Sequence, residues 1–218
     1  MIARGPRVCG SSRDDDRVSL RDNSPSICAP LPDVQTERLD LRRFAESDLD
    51  ELVGVCAQRE VWQFPFGRGF TPEETEQFLH RQIHHWNELD FGCWVARLTA
   101  QGGGDGEIVG YVGLSVPMFL PEVLPAVEVG WRFVPAVWGR GLATEGARAA
   151  LDHAFATLGL EWVCSVPQAD NTASVRVAER IGLPRRRPVT IPANDQRGAL
   201  AALLFEIDAT EWSAVRRA

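Results

Sequence analysis

One stretch of this chain combines a strand, a glycine turn and the start of a helix: residues 127–145, VEVGWRFVPAVWGRGLATE. Its turn points free backbone N–H groups and the positive end of a helix at one spot, and such a spot binds phosphate. Gly139 and Gly141 permit positive φ angles, and Arg140 adds a charge. The stretch predicts an anion-binding turn, although a purely structural helix cap has the same pattern.

A second segment points the same way. Residues 171–183, NTASVRVAERIGL, follow the next predicted strand and open a helix with small polar residues. Small polar residues at a helix start leave its backbone N–H groups accessible or satisfy them from a side chain. Two strand-to-helix junctions in succession therefore favour a ligand site over an isolated cap.

The flanking sequence predicts an antiparallel first half and a β-α-β second half. Three strand-like runs are joined by a glycine-rich loop and by the proline-rich loop 117–125, neither of which has room for a crossover helix. Thr71, Pro72 and Glu74 form a helix-start signature. The predicted elements are a strand in 37–44, a helix from Ser47, a helix from Thr71 to Trp86, strands 93–98, 107–116 and 126–134, a helix 143–158, a strand 162–166, a helix 172–181 and a strand 200–207.

Together the two segments resemble the GNAT acetyltransferases, whose signatures read Q/R-x-x-G-x-G/A and N-x-x-S/A. The resemblance spans about residues 36–212 and is similar to the RimJ/RimL branch of ribosomal-protein N-acetyltransferases, which opens with T-E-R-L-x-L-R and carries W-G-x-G-x-A-T-E. It implies an α+β fold, the GNAT acyl-CoA N-acyltransferase fold. In that fold a mixed central sheet flanked by helices is splayed between the family's fourth and fifth strands, and pantetheine enters the gap.

The resemblance also implies residue roles, with acetyl-CoA as co-substrate and no metal. Backbone N–H groups of the turn would hold the pyrophosphate, Phe133 and Val134 would pair with pantetheine through their main chain, and Asn171 would bind the cofactor arm by its amide. Ser174 would lie near the thioester sulfur. The turn residues concerned are Gly139, Arg140, Gly141, Leu142, Ala143 and Thr144.

Three positions depart from the family pattern. Trp138 occupies the Gln/Arg position, Ala178 stands where many members have a tyrosine general acid, and Leu183-Pro184 replaces a Gly-Phe ending. The only tyrosine, Tyr111, is distant in sequence. The acid would then be Ser174, a water molecule, or no group at all.

Amine acetylation needs a neutral amine, and Glu128 near the expected splay is the candidate base. A strand carboxylate paired with an arginine is the alternative for Glu128. Ser174 is the second catalytic candidate, with a helix-start serine that satisfies backbone N–H groups as its alternative. None of the five cysteines lies in either segment, which favours direct attack in a ternary complex.

The remaining motifs indicate no second site. His80 and His84 fall on the polar face of their helix, and His85 follows them without carboxylate or cysteine partners at ligand spacing, so no metal is expected. Residues 185–187, three arginines, are expected in a solvated loop. The acceptor site should be shaped by residues 62–70, 117–125 and the segment after Leu183.

Composition narrows the partners and the location. The net charge of -7 argues against general nucleic-acid binding. An odd number of scattered cysteines argues against a disulfide framework and favours the cytoplasm, and no apolar run is long enough for a membrane span. The expected partner is an amine acceptor; the oligomeric state is left open, a homodimer included.

Residues 1–34 contain no aromatic residue and are expected to form a disordered or loosely docked extension, with the acetyltransferase domain over 35–218. Two other functions compete with an acetyltransferase. A dinucleotide-dependent oxidoreductase would need a third glycine where Thr144 stands. A non-catalytic acyl-CoA-binding or interaction module would keep the turn but lack the acid.

Overall fold

The computed structural model describes residues 33–195 and 197–217, and the predicted extension therefore lies outside the described residues apart from Asp33 and Val34. The helices are α1 (Leu49–Cys56), α2 (Gln63–Phe66), α3 (Pro72–Leu89), α4 (Leu142–Asp152), α5 (Thr172–Ile181) and α6 (Ala209–Arg217). The strands are β1 (Val34–Gln35), β2 (Leu39–Arg42), β3 (Cys93–Leu98), β4 (Ile108–Ser115), β5 (Glu128–Phe133), β6 (Trp162–Ser165), β7 (Arg185–Ile191) and β8 (Leu200–Asp208).

These strands form one mixed sheet in the order β1-β2-β3-β4-β5-β6-β8-β7. Strands β1 to β5 are antiparallel neighbours, which confirms the predicted meander. Strand β6 runs parallel to β5 and antiparallel to β8. The predicted α+β architecture is therefore confirmed.

Helix α3 begins as the sequence predicts. Thr71 accepts a hydrogen bond from the Glu74 N–H at 3.2 Å, and the Glu74 carboxylate accepts from the Thr71 N–H at 2.9 Å. Phe78 and Trp86 are buried on the face that meets the sheet, whereas His80 is exposed. The expected polar face of this helix is confirmed.

The first helix begins differently from the prediction at Ser47. Ala45 precedes a 3-10 turn over Glu46–Asp48, and the buried Asp48 carboxylate accepts from the Ala45 N–H at 2.9 Å. Asp48 also pairs with Arg42 at 2.7 Å and with Arg97 at 3.0 Å. The burial of this carboxylate between two arginines fixes the helix start.

The predicted loop at residues 185–187 was wrong. These arginines open β7, an edge strand that pairs with β8. Pro188 is tolerated there because an edge strand leaves one row of backbone groups without a ladder partner. Their side chains are exposed as expected. Helix α6 was not predicted either.

Helix α4 lies close against the sheet and so fixes the position of the preceding turn. A Cβ atom at Gly146 would lie 2.8 Å from Cγ1 of Val112 on β4, so glycine is required for this approach. Ala147, Ala150 and Leu151 are fully buried. The predicted helix to residue 158 changes at His153 into one π-helical turn that ends at Thr157.

Candidate active site

The turn before α4 adopts the conformation that its glycines allow. Gly139 has φ +74° and Gly141 has φ +82°, and no side chain caps the helix start at Leu142. The first helical hydrogen bond after the turn runs from the Glu145 N–H to the Gly141 carbonyl at 3.0 Å. Within the described residues, the backbone N–H groups of 140–144 have no hydrogen-bond acceptor. This is the geometry of an anion site.

Side chains from the connection between β1 and β2 brace this turn and the first turn of α4. Glu145 accepts hydrogen bonds from Thr36 Oγ1 at 2.6 Å and from Arg38 Nε at 2.7 Å. Arg38 Nη1 also donates to the Arg140 carbonyl at 2.7 Å. Burial raises the pKa of Glu145, but the hydrogen bonds from Thr36 and Arg38 outweigh it, and the pKa is lowered overall. The β1–β2 connection is thus tied to the glycine turn and to the first turn of α4 by side-chain hydrogen bonds.

The side chain of Arg140 does not point toward the anion site in this conformation. Its Nη2 donates to the carbonyl of Gly102 in the glycine-rich loop after β3. In this conformation only the backbone N–H group of Arg140 is available to the predicted phosphate site. The predicted direct charge at this position has no support in the geometry.

Strands β5 and β6 separate directly after their first contact. One register pair, Glu128 with Cys164, joins them, and the Cys164 N–H donates to the Val127 carbonyl at 2.9 Å. Because backbone groups alternate along a strand, those of Val129 and Trp131 also face the gap. This gap is the splay that the resemblance implied.

Of the two residues predicted to pair with pantetheine, only Phe133 has main-chain groups that face the gap. Phe133 faces the gap, where its carbonyl accepts from Trp138 Nε1 at 2.7 Å. Val134 faces away: its N–H donates to the Val109 carbonyl at 2.9 Å, and its carbonyl accepts from the Val137 N–H at 3.2 Å. The role predicted for Val134 is corrected, because both of its main-chain groups are used within the protein.

A cavity of about 430 Å³ opens beside this gap and brings Glu128, Asn171 and Ser174 together. All three segments expected to shape the acceptor site contribute residues to the wall of this cavity. They contribute Phe64, Pro65 and Phe66 from the first segment, Phe119 from the second, and Ile191, Asn194, Arg197 and Leu200 from the third.

Glu128 is the carboxylate of this cavity. Burial raises its pKa to about 7, against smaller lowering effects of a hydrogen bond from the Val166 N–H at 3.1 Å and of the Arg132 charge. It makes no ion pair with an arginine among residues 33–195 and 197–217, so the predicted alternative role is not seen there. A carboxylate with a pKa near neutrality is suited to accept a proton from an amine.

Asn171 caps α5, so the hydroxyl of Ser174 is not needed as a helix cap. The Asn171 Oδ1 accepts from the Ser174 N–H at 3.1 Å. The alternative in which Ser174 itself satisfies the helix start therefore does not hold. In the described part of the chain, no hydrogen bond uses Ser174 Oγ.

The position of the usual family tyrosine does not reach the cavity. Ala178 is fully buried in the main core. Instead Tyr111 lines the cavity from β4, opposite Arg132 on β5. Burial raises the pKa of the Tyr111 phenol, although the nearby Arg132 charge opposes this. The strand register could have identified this residue, since the meander places Tyr111 beside β5.

Arg132 attaches the loop after α1 to this site. Its guanidinium donates to the carbonyls of Val61 and, at 2.8 Å, Phe64, and its Nε donates to Tyr111 Oη at 2.9 Å. It also lies over the Trp62 ring, 4.1 Å from the centroid. Arg132 therefore positions the aromatic wall of the cavity.

The cysteines around the site are poor nucleophiles. Burial raises the pKa of Cys93, which lines the cavity, to about 12, and it also raises the pKa of Cys164 and of Cys56. Because the thiolate is the reactive form, these residues remain protonated and inert at neutral pH.

A larger groove, about 790 Å³, runs along the outer face of α4. It reaches Gly141 and Thr144 of the turn but includes none of the three cavity residues Glu128, Asn171 and Ser174. The predicted residues Glu128, Asn171 and Ser174 therefore line the smaller cavity and not this groove. Within the described ranges no three His, Cys, Asp or Glu side chains cluster as metal ligands would.

Comparison with known proteins identifies the family. Residues 38–184 match the model of the acetyltransferase (GNAT) domain, and the chain belongs to this family. It is a GNAT acetyltransferase, which sets aside the dinucleotide-dependent alternative. No helix in the described residues is both long and apolar enough to cross a membrane.

Individual relatives agree with this assignment. The chain is 35% identical over 149 residues to "Uncharacterized protein YkkB" of Bacillus subtilis, covering 68% of this chain and 83% of that protein. It is 32% identical over 164 residues to the FsC-acetyl coenzyme A-N(2)-transacetylase of Aspergillus fumigatus, covering 70% and 65%. An acetyltransferase structure from Agrobacterium tumefaciens superposes with a TM-score of 0.64 at 26% identity, covering 90% of this chain and 99% of that one.

Proposed function

We propose that this enzyme transfers the acetyl group of acetyl-CoA to a primary amine by direct attack in a ternary complex. The observation that carries the proposal is the juxtaposition of Glu128 and Ser174 in one cavity beside the β5–β6 gap. The acceptor is a small-molecule amine or a protein N-terminus. The RimJ/RimL branch is part of the proposal, supported by the hydrogen bonds of Thr36 and Arg38 to Glu145, which join its two sequence signatures.

The turn before α4 is proposed to hold the pyrophosphate. Five backbone N–H groups, at Arg140, Gly141, Leu142, Ala143 and Thr144, converge there with the positive end of the helix. The conformation of Gly139 and Gly141 supports this role. The main chain of Trp131 and Phe133 would follow the pantetheine arm along the gap, and the free amide nitrogen of Asn171 would donate to it.

The reaction requires two proton movements. Glu128 takes one proton from the acceptor ammonium, directly or through water. The amine nitrogen then forms its bond to the acetyl carbon while the carbon–sulfur bond breaks. The second proton passes from the nitrogen to solvent water, the departing sulfur gains a proton from Ser174, and Ser174 and Glu128 return to their starting states by exchanging protons with solvent. Since a thiol titrates near pH 8.5, help from Ser174 is modest.

The proposal is tested by mixing purified protein with acetyl-CoA and a panel of peptides, aminoglycosides, polyamines and amino acids. Release of free thiol together with an acetylated amine is expected for at least one class. If CoA binds tightly but no amine in the panel causes thiol release, the non-catalytic module is favoured. Intact mass without acceptor should show no acetyl adduct on a cysteine; an adduct that turns over would contradict direct attack.

The location proposed for this enzyme is the cytoplasm. Cys56, Cys93 and Cys164 are free and buried in the described structure, which supports a reducing environment. The extension predicted over residues 1–34 and the homodimer remain proposals from sequence.

A further inference from the structure

The charged residues of the cavity limit the kind of acceptor that it binds. Among the described residues three charged side chains line it: Glu128, Arg132 and Arg197. Arg132 is used by the protein, through its bonds to Tyr111, Val61 and Phe64. One carboxylate and one arginine are therefore left for a bound molecule.

Arg197 is held in place at one edge of its guanidinium. It lies in the loop between β7 and β8, where its N–H donates to Asn194 Oδ1 at 3.0 Å. Its Nη1 donates to the Pro192 carbonyl at 3.0 Å and to the Gly198 carbonyl at 3.3 Å. No hydrogen bond between described residues uses Nε or Nη2, and this side of the guanidinium has the fork geometry that binds a carboxylate.

The other arginines of the same hairpin differ from Arg197. Arg185 pairs with Glu179, Arg186 with Glu211 and Arg187 with Glu122, all at 2.8 to 2.9 Å. Arg197 has no such carboxylate within the described residues and is the half-buried member of the set. The hairpin therefore presents one unneutralised arginine, and this one faces the cavity.

Aromatic side chains form the apolar part of the cavity wall. Phe64, Phe66 and Phe119 line it, and the last two are 37% and 38% exposed. Large apolar side chains exposed beside a cavity indicate an apolar part of the ligand. A polyamine does not fit these observations, because its several ammonium groups would meet one carboxylate, aromatic rings and an arginine.

We infer that the acceptor is an amino acid with a bulky apolar side chain, whose amine meets Glu128, whose carboxylate meets Arg197 and whose side chain packs on Phe64, Phe66 and Phe119. This inference rests on the proposed function. The acidity of the chain as a whole, with net charge -7, does not extend to its acceptor site.

The test compares L-phenylalanine, L-leucine and L-tryptophan with their amides, and adds 2-phenylethylamine and spermidine. Thiol release from acetyl-CoA gives kcat/KM, corrected for the unprotonated fraction of each amine. We expect at least one amino acid to exceed its amide about 10-fold or more, as loss of a charged hydrogen-bonding partner implies. Spermidine should be the poorest acceptor.

Arg197→Ala should lower kcat/KM about 10- to 100-fold for the amino acid, mainly through KM, and leave the amide within about twofold. Arg197→Gln, which keeps a donor to the loop carbonyls, should behave in the same way if Arg197→Ala is poorly folded. Arg216→Ala is the matched control and should change neither acceptor, because Arg216 is an exposed, ion-paired arginine on α6 that does not line the cavity.

The inference would be overturned if the wild type had equal kcat/KM for the amino acid and its amide. It would also be overturned if Arg197→Ala lowered kcat/KM equally for both. Turnover of spermidine but of no amino acid would overturn it as well. Failure of the proposed function looks different: acetyl-CoA would not bind in calorimetry, or no amine of any class would release thiol.

Discussion

The backbone N–H of Val166 donates to Oε1 of Glu128 at 3.1 Å, across the point where β5 and β6 separate. This bond fixes the carboxylate at the splay while the rest of its surroundings desolvate it. Burial dominates, and the pKa of Glu128 rises to about 7. In the proposed function, the carboxylate that would act as the base therefore lies at the same strand separation that would admit the pantetheine arm.

Gly141→Asp should strongly weaken CoA binding. An aspartate there adds a negative charge at the proposed phosphate position and is strained at φ +82°. We expect the dissociation constant measured by calorimetry to rise more than about 100-fold, as loss of several charge-assisted hydrogen bonds implies.

Gly159→Asp is its matched control. Gly159 also has a positive φ, +64°, and an added Cβ would meet no atom within 4 Å. This variant carries similar backbone strain away from the turn and should bind CoA like the wild type. Equal affinity in Gly141→Asp and Gly159→Asp would contradict the assignment of the turn.

Glu128→Gln should stabilise the free protein at neutral pH. The native carboxyl keeps its proton between the ordinary value of 4.5 and about 7, where the unfolded chain has lost it. The contribution of Glu128 to the free energy of unfolding of the wild type is therefore fully present below pH 4.5 and is lost as the pH rises through about 7. The free energy of unfolding, measured with denaturant, should be compared between variant and wild type. The difference, variant minus wild type, should be about 1–3 kcal/mol larger at pH 8 than at pH 4. A constant difference across pH would contradict the raised pKa.

Ser174→Ala should lower kcat by about 10-fold or less and leave CoA affinity nearly unchanged, because a thiolate departs with little acid assistance. Steady-state kinetics and calorimetry together separate these effects. Ser213→Ala is the control, since Ser213 is exposed on α6 and its hydroxyl donates to the Ala209 carbonyl. A large rise in the CoA dissociation constant with unchanged kcat would instead make Ser174 a cofactor contact.

Features that depend on local pattern were predictable from the sequence. The glycine turn at 139–141, the capped start of α3 and the antiparallel meander all follow from residue types and connector lengths. The resemblance to the GNAT family in the order of strands and helices indicated that residues 62–70, residues 117–125 and the segment after Leu183 would lie around one site. The site residues themselves stay predictions until ligand binding and kinetics are measured.

Features that depend on register and tertiary pairing were missed. A shift of one residue in strand register decides whether the main chain of Val134 faces the gap or β4. The residue types alone do not determine this register. Tyr111 enters the site only through the pairing of β4 with β5. The role inferred for Arg197 depends on the ion pairs of the three other arginines on the hairpin, each of which is neutralised by a glutamate.

The most direct test of the central claim is the pH dependence of kcat/KM for an accepted amine in wild type, Glu128→Gln and Glu128→Asp. With Glu128 as the base, the wild-type rate rises through pH of about 7 as the carboxylate ionises. Glu128→Gln should show no inflection near pH 7. Its kcat/KM at pH 8 should be about 100-fold or more below that of the wild type. Glu128→Asp should be slower but keep an inflection. An unchanged inflection near pH 7 in Glu128→Gln would contradict the account.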